Sequence, residues 1–507
     1  MTNTPGEHNL AVLAEQRYER LGDHRTLFFD GVWHTSGEIR ERAMRAATGL
    51  REVGIGPGDR VVVLTMNTPE VFVSYHALWR AGAVVTPVIF LQTPPELRHI
   101  LEDSGAKAAI VTPELLPLIT AASEGLDLRL IVAGEVPEGV HALRFSDLER
   151  AEPGEIEPRA DDDLAALLYT GGTTGRAKGV MLSHRGLWES GRSICETSEP
   201  AGTTRSLLPL PLSHAYGLLV LVGGLHATRR QESVLQRWFD AKEWLELVQE
   251  HRIETSPVVP SMLGMLLEQP YADYDLSSLV SFGSGGAPLL PALREKAEKA
   301  LGATILEGYG CTESSALVSA STVEENRPGS VGKPLPHAEV RIAGPSGEPV
   351  PTGEEGEIWV RGPGVMVGYW NAPSQTAGTV VDGWLHTGDI GRLDEDGYLY
   401  VVDRVKDLII RGGFNVFPRD VEDALLAHPA VSAAAVVGRP DETRGEEVVA
   451  VVSLHADAAA TPEELMEFAR ARLARYKYPR EVIVVDAVPV TSVGKTDRKR
   501  VRSMVQG

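Results

Sequence analysis

Cysteine is almost absent from this chain: its 507 residues include two, Cys195 and Cys311, and neither belongs to a CxxC pair or a mixed Cys/His cluster. That spacing excludes a disulfide scaffold and a structural zinc site, and it fits a reducing compartment. Positive charge is also scarce, with 49 Lys and Arg against 70 Asp and Glu and a formal net charge of -21 at pH 7. The imbalance argues against nonspecific nucleic-acid binding and against attraction to an anionic membrane, while leaving room for a local basic pocket that takes a small polyanion. Long apolar runs are missing too. The nearest, about 215–225, falls short of a membrane span and is broken by glycine. Residues 1–7 lack the basic start and apolar stretch of a secretory signal, and 503–507 show no recognised address signal. The expectation is a soluble cytoplasmic protein with no nucleic-acid partner and no integral membrane association.

What the chain has in plenty is turn formers, 51 Gly and 33 Pro, spread among hydrophobic residues that make up 43% of it. Its length implies more than one domain, because single cores seldom grow much beyond about 250 to 300 residues. Residues 60–64 read as a strand, 70–80 as a helix and 83–88 as the next strand, and 108–111 and 128–132 repeat the cycle. Helix and strand alternate again at 243–251 and 255–259, then at 279–282 and 291–300. Such alternation predicts an α/β protein of layered, mostly parallel sheets, with ligands beyond the carboxyl ends of the strands. Around 344–364 the texture shifts to short, turn-bounded strands, predicting a β-rich subdomain. The last hundred or so residues read as a compact unit with helices at 419–427 and 461–473 and strands at 433–437 and 447–454. Charged residues at 403–407 suggest a boundary there.

The run Tyr169-Thr170-Gly171-Gly172-Thr173-Thr174-Gly175-Arg176-Ala177-Lys178-Gly179-Val180 follows the apolar stretch 164–168, so its glycines fall where a strand ends and the chain must turn. Glycine lets backbone amides converge on one anion, threonine hydroxyls add donors, and Lys178 brings a mobile positive charge. This is a phosphate-holding pattern, but not G-x-x-x-x-G-K-[ST], because no Ser or Thr follows Lys178. A flexible linker would share the Gly and Thr content without the apolar flanks. Ser281-Phe282-Gly283-Ser284-Gly285-Gly286-Ala287-Pro288 is a second glycine-rich strand exit, where absent side chains could leave space for a flat ring. Glu307-Gly308-Tyr309-Gly310-Cys311-Thr312-Glu313-Ser314 adds an aromatic face, a hydroxyl and a carboxylate, which a nucleotide site needs for its base and for Mg²⁺ against phosphate. Pro211-Leu212-Ser213-His214-Ala215-Tyr216-Gly217 sets a histidine and an aromatic ring before a small, apolar segment. Trp384-Leu385-His386-Thr387-Gly388-Asp389 ends in a carboxylate suited to two ribose hydroxyls. Any one of these acids is equally a solvated surface group and any one histidine equally a core residue; the series carries the weight.

Taken together, these motifs resemble the adenylate-forming enzymes, a superfamily of acyl-CoA synthetases, peptide-synthetase adenylation domains and luciferases, and look closest to bacterial fatty-acyl-CoA ligases. The resemblance spans essentially the whole chain in the same motif order. It implies a large N-terminal ATP- and acyl-binding domain over 1–403 and a small, mobile C-terminal α+β domain over 404–507. By it, Thr170, Gly171, Gly172, Thr173, Thr174, Gly175 and Lys178 belong to the phosphate loop, and Gly285, Gly286, Ala287, Tyr309 and Gly310 to the adenine side. Thr312 and Glu313 would engage the α-phosphate and Mg²⁺, with Glu313 as the metal ligand, and Asp389 and Arg404 the ribose. Lys406 would be the hinge, Gly413 would line the path of the thiol, and Lys495 would be the adenylation lysine. Gly172 stands where serine is commoner and Ala177 where proline is common, and the stretch before Lys495 lacks the usual basic residue.

The implied reaction joins a carboxylate to the α-phosphate of ATP with loss of pyrophosphate, the developing charge being met by Mg²⁺, amides and Lys495. A thiol, that of CoA, then attacks the mixed anhydride. No covalent enzyme intermediate is needed; Ser183 and His184 are adjacent in sequence, which is no evidence of a proton relay. A noncatalytic nucleotide-binding regulator would be favoured by loss of Glu313 or Lys495, and both are present. His214 would stand at the acyl entrance with Ala215, Tyr216, Val259, Gly283 and Gly308 as walls, and 217–224 predicts a hydrophobic tunnel. No acid is placed to pair an α-amino group and no base to pair a second carboxylate. A medium- or long-chain fatty acid is therefore the favoured substrate, with an aryl or arylacrylic acid as alternative. CoA is the favoured acceptor because the sequence ends soon after Lys495; a stand-alone enzyme loading an acyl carrier protein is the other reading. A monomer or homodimer is expected.

Overall fold

The computed structural model of the chain describes residues 6–170, 176–412, 414–441, 443–456, 458–490 and 496–506. They fall into two compact units, 1–340 with 360–386, and 341–359 with 387–507.

The first unit is built on two large, mostly parallel sheets. Among the described residues, one has eight strands in the spatial order Gly368–Tyr369, Lys178–Ser183, Leu164–Thr170, Val84–Pro87, Arg60–Leu64, Ala108–Val111, Arg129–Val132, Leu143–Arg144. Its central strands are mostly apolar and buried on both faces, as parallel strands under helical cover must be. The helix Pro69–Arg80 starts with proline in its first turn, where no amide is missed, and buries Tyr75, Leu78 and Trp79. The second sheet has, among the described residues, nine strands in the order Lys333–Pro334, Ser319–Ala320, Thr304–Tyr309, Ser281–Ser284, Thr255–Val258, Arg205–Leu208, Glu232–Leu235, Arg25–Phe29, Val32–Thr35. Its inner pairs are parallel and its outermost pairs antiparallel.

The strand expected at 279–282 lies instead at Ser281–Ser284. Pairing decided this: Ser281–Ser284 lies in parallel register with both Thr255–Val258 and Thr304–Glu307, whereas Leu279 is a buried residue of the turn leading in. Gly285, Gly286 and Ala287 therefore begin directly beyond a strand's carboxyl end.

In the second unit, strand Gly445–Leu454 pairs antiparallel with Val431–Asp441 and parallel with Glu481–Val485, and Ile409–Arg411 with Phe414–Val416 extends the sheet. Strand alternation sorts its side chains onto two faces. Val436, Val448, Ala450 and Val452 pack with Val421, Leu425 and Leu465 of helices Pro418–Leu426 and Pro462–Arg470; Ala435, Val437, Val449 and Val451 pack with Val501 and Val505 of helix Arg498–Val505. The architecture is thus the expected one, a large, layered, mostly parallel α/β part and a smaller α+β part.

Candidate active site

Strands Leu164–Thr170 and Lys178–Ser183 form an antiparallel hairpin whose register sets Thr170 opposite Lys178. Gly171, Gly172, Thr173, Thr174 and Gly175 lie outside the described residues, as do Gly413 and Lys495. Both stems of the hairpin are anchored to the helix Pro94–Ser104. The Tyr169 hydroxyl donates to Asp103 Oδ2 at 2.6 Å, and His99 Nε2 lies 2.9 Å from the Ala177 carbonyl oxygen. Trp370 Nε1 donates to the Asp103 carbonyl at 2.9 Å.

Glu313 sits in the single turn Thr312–Ser314. Ser314 Oγ accepts from the Cys311 amide at 3.0 Å, and the chain then passes through two left-handed non-glycine residues, Ser315 at φ 52° and Ala316 at φ 74°. Such conformations persist where surrounding contacts over-determine them. Here Ser315 Oγ donates to the Gly364 carbonyl at 2.8 Å, and buried His337 places Nε2 3.1 Å from the Leu317 carbonyl and Nδ1 2.7 Å from Ser193 Oγ. Tyr369 completes the turn: its hydroxyl donates to Glu313 Oε1 at 2.9 Å, while Lys178 Nζ lies 5.0 Å from its ring centroid. Burial, followed by the Glu313 charge, pushes the Tyr369 phenol up, so it keeps its proton and donates. Among the described residues no group of three or more His, Cys, Asp or Glu could cage a metal. A lone carboxylate fits Mg²⁺ nonetheless, since that ion is commonly held by one or two carboxylates plus substrate phosphates.

His214 caps the helix Ala215–His226, its Nδ1 accepting from the Tyr216 amide at 3.2 Å. The loop before it is held by two buried groups: Asn67 Nδ2 donates to the Leu210 carbonyl at 2.8 Å, and the Tyr75 hydroxyl to the Leu212 carbonyl at 3.2 Å. Tyr216 reaches across to the second glycine-rich exit, its hydroxyl donating to the Gly283 carbonyl at 2.9 Å. A Cβ on Gly283 would stand 3.0 Å from that hydroxyl, tighter than comfortable contact, whereas one on Gly285 would meet Tyr216 at 3.5 Å. Gly286 has φ +81°, which favours glycine, and beside it the buried Ser284 Oγ has no hydrogen-bond partner among the described residues. An orphaned hydroxyl next to uncluttered backbone fits a polar flat ring such as adenine. Tyr309 ends its strand opposite Ser319, and a Cβ on Gly310 would collide with the Ala316 carbonyl at 2.3 Å, so that glycine serves the turn's close approach.

Two of the small residues expected to open a tunnel at 217–224, Gly217 and Gly223, serve close packing. A Cβ on Gly217 would lie 2.2 Å from the Pro211 carbonyl, one on Gly223 2.7 Å from Ile194, and one on Gly191 2.6 Å from Val222. Gly191 and Gly223 let helices His184–Ser198 and Ala215–His226 approach closely, and Gly217 lets the second helix start against the loop before it, whereas Gly224 has open space at its flank. Ser183 and His184 are likewise structural: Ser183 Oγ accepts from the Gly186 amide at 3.0 Å, and His184 Nδ1 from the Leu10 amide at 3.2 Å.

In the second unit Asp389 and Arg404 face each other in antiparallel register, with Arg404 Nε 3.0 Å from Asp389 Oδ1. Asp389 is buried and Arg404 half-exposed. Asp403 Oδ2 accepts from the Arg419 amide at 3.0 Å, and Asp407 Oδ1 lies 2.7 Å from Arg502. Between them, burial and then Arg404 push the Lys406 ammonium down.

Tyr369, Asp103, Asn67, Tyr75 and His337 are absent from the sequence-based set. Asn67 alone left a signal, a polar residue just beyond the carboxyl end of the strand Arg60–Leu64.

A profile of the AMP-binding enzyme family matches residues 14–370, and one of the AMP-binding enzyme C-terminal domain matches 420–495. The chain belongs to the AMP-binding enzyme family. This AMP-binding enzyme is 40% identical over 497 residues to a feruloyl-CoA synthase of an Amycolatopsis species, a match covering 96% of its own chain and 97% of the relative. It is 36% identical over 517 residues to a long-chain-fatty-acid–CoA ligase of Bacillus subtilis strain 168, covering 95% and 92%. Among solved structures it is similar to the anthranilate CoA ligase AuaEII in complex with anthranoyl-AMP, with TM-score 0.91, 27% identity and coverage of 99% and 98%. ATP-bound MatB from Rhodopseudomonas palustris matches with TM-score 0.89, 32% identity and coverage of 98% and 99%. The AMP-binding enzyme is accordingly an AMP-forming acid–thiol ligase, which binds ATP and activates a carboxylic acid as its acyl-adenylate. No helix among the described residues is long and apolar enough to cross a membrane.

Proposed function

We propose that the acid is an aryl or arylacrylic acid and that the acceptor is the thiol of coenzyme A. Tyr216 carries this reading. Its ring, tethered to the Gly283 carbonyl at 2.9 Å, is fixed between the helix that His214 caps and the second glycine-rich exit. A planar acid stacks beside such a ring at little entropic cost, whereas a flexible chain would have to be ordered around it. The feruloyl-CoA synthase relative supports the same class, ahead of the fatty acid favoured on sequence grounds. Fatty acids remain the second reading because of the 36% identical long-chain ligase.

In this reading the substrate carboxylate attacks the α-phosphorus of ATP and pyrophosphate leaves. Thr173, Thr174 and Lys178 bind the departing phosphates, Thr312 and Lys495 meet the charge developing at the α-phosphate, and Asp389 and Arg404 hold the ribose. Glu313 would hold Mg²⁺, which supplies charge neutralisation at the phosphates. The thiol then attacks the anhydride carbonyl and AMP departs, with Lys406 as hinge between the two steps and Gly413 on the thiol's path. Pyrophosphate release measured across benzoates, arylacrylates and C4 to C16 fatty acids, with mass detection of the thioester formed from CoA or a holo-carrier protein, tests the assignment. An arylacrylate outranking octanoate and palmitate in kcat/KM is expected; a steady gain with chain length refutes it.

A further inference from the structure

The segment 366–370 is stitched on one side to the phosphate hairpin and on the other to the turn of Glu313. Trp370 N donates to the Gly179 carbonyl at 2.7 Å and Val367 N to the Met181 carbonyl at 2.9 Å, while Met366 N donates to the Glu313 carbonyl at 2.8 Å. Tyr369, between them, is 9% exposed. Its amide donates to Thr376 Oγ1 at 2.9 Å and its residue pairs with Val180, so neither backbone nor ring is at liberty to swing away. From this fixed position one face of the ring meets Lys178 Nζ, 5.0 Å from the centroid, and the hydroxyl meets Glu313 Oε1 at 2.9 Å.

We propose that Tyr369 is a positioning residue for ATP and metal binding: it dictates which Glu313 oxygen faces the metal, and it gives the Lys178 ammonium a neutral resting place. The inference rests on the reading of Glu313 as metal ligand. A carboxylate that spends Oε1 on a phenol presents Oε2 to a cation, and Mg²⁺, which demands near-octahedral geometry, rewards a ligand whose orientation is set beforehand. A flexible lysine near a carboxylate would otherwise pair with it and cancel the charge that each group needs for the triphosphate. An aromatic face attracts the ammonium without neutralising it.

The two contacts can be removed separately in the full chain. Tyr369→Phe keeps the ring and loses the hydroxyl; Tyr369→Leu loses both. Mn²⁺ binding in the presence of a non-hydrolysable ATP analogue, followed by electron paramagnetic resonance, reads the metal site without turnover, and pyrophosphate release gives the Mg²⁺ and ATP half-saturation points. Tyr369→Phe is expected to weaken Mn²⁺ binding and raise the Mg²⁺ half-saturation point by about tenfold, with the ATP half-saturation point at saturating Mg²⁺ changed less than about twofold. Tyr369→Leu is expected to raise the ATP point by about fivefold as well. Thermal unfolding of each variant checks the fold, and should Tyr369→Leu not fold, Tyr369→Phe decides. Wild-type Mn²⁺ affinity in Tyr369→Phe, beside weakened binding in Glu313→Gln, overturns the positioning role while leaving Glu313 as ligand. Wild-type affinity in both variants overturns the underlying reading of Glu313 and the positioning role with it.

Discussion

Replacing Tyr216 by alanine should lengthen the acids that this ligase accepts. The phenol contributes one hydrogen bond, to the Gly283 carbonyl, and packs beside Leu219, Leu317 and Leu335. Truncating a buried aromatic side chain costs about 3 to 5 kcal/mol of stability where the space left cannot collapse. Collapse is hindered here, because helix Ala215–His226 is already in close contact with helix His184–Ser198 through Gly191 and Gly223. The vacated space is therefore available to substrate. Each methylene buried there is worth about 0.8 kcal/mol, so four would favour octanoate over butanoate by about 3 kcal/mol more than in the wild type, or about two orders of magnitude in kcat/KM. Tyr216→Phe is the control: it loses about 1 kcal/mol of hydrogen bonding but keeps the ring, and its chain-length profile should match the wild type. The assay is initial pyrophosphate release over straight-chain acids from C4 to C12. If Tyr216→Ala keeps the wild-type profile while remaining folded, the acyl pocket does not run past Tyr216, and that ring does not select the substrate.

His184 should make stability fall on acidification. Burial holds its imidazole at about 4, against an ordinary 6.5, so between those pH values the unfolded chain binds a proton that the native chain refuses, and stability is lost as pH drops through that window. The full loss from this group is about 3 kcal/mol, and urea unfolding at pH 7.5, 5.5 and 4 should show a shallower slope in His184→Asn; equal slopes would refute it. Lys495→Ala should cut acyl-AMP formation by about a hundredfold or more yet convert supplied acyl-AMP and CoA to thioester, with Gly413→Leu biased the other way in the two half-reactions. Normal adenylation in Lys495→Ala would remove that residue from the chemistry. Gly191→Val places side-chain atoms where even a Cβ would lie 2.6 Å from Val222, and it should destabilise the protein by about 1 to 3 kcal/mol in urea unfolding. A change under about 0.5 kcal/mol would mean the helices separate more readily than this packing implies.

Motifs whose function resides in consecutive backbone were legible from the chain alone. The glycine and threonine run after an apolar strand is a phosphate-holding pattern because glycine permits amides to converge on an anion, and the alternation of β-branched runs with helical spacing announces parallel sheets because burial on both faces demands apolar strands. The hydroxyl and carboxylate of Thr312 and Glu313 stood out by their chemistry after a strand-like run, whereas the pairing of Asp389 with Arg404 came only from the family resemblance. Side chains that act across the fold left little trace. Tyr369 is 56 residues from the Glu313 it bonds, Asn67 lies 143 residues from Leu210, and His337 lies 144 residues from Ser193. The glycines at 217 and 223 look like open space in a sequence, but backbone or side chain from another segment already occupies each flank. The sequence by itself thus determined the fold class and the nucleotide chemistry, which follow from short-range periodicity and turn geometry. Only the tertiary structure decided that Tyr216 bonds the glycine-rich exit and that Tyr369 joins Lys178 to Glu313, because contacts between distant segments depend on sheet order and helix packing, which no local pattern encodes.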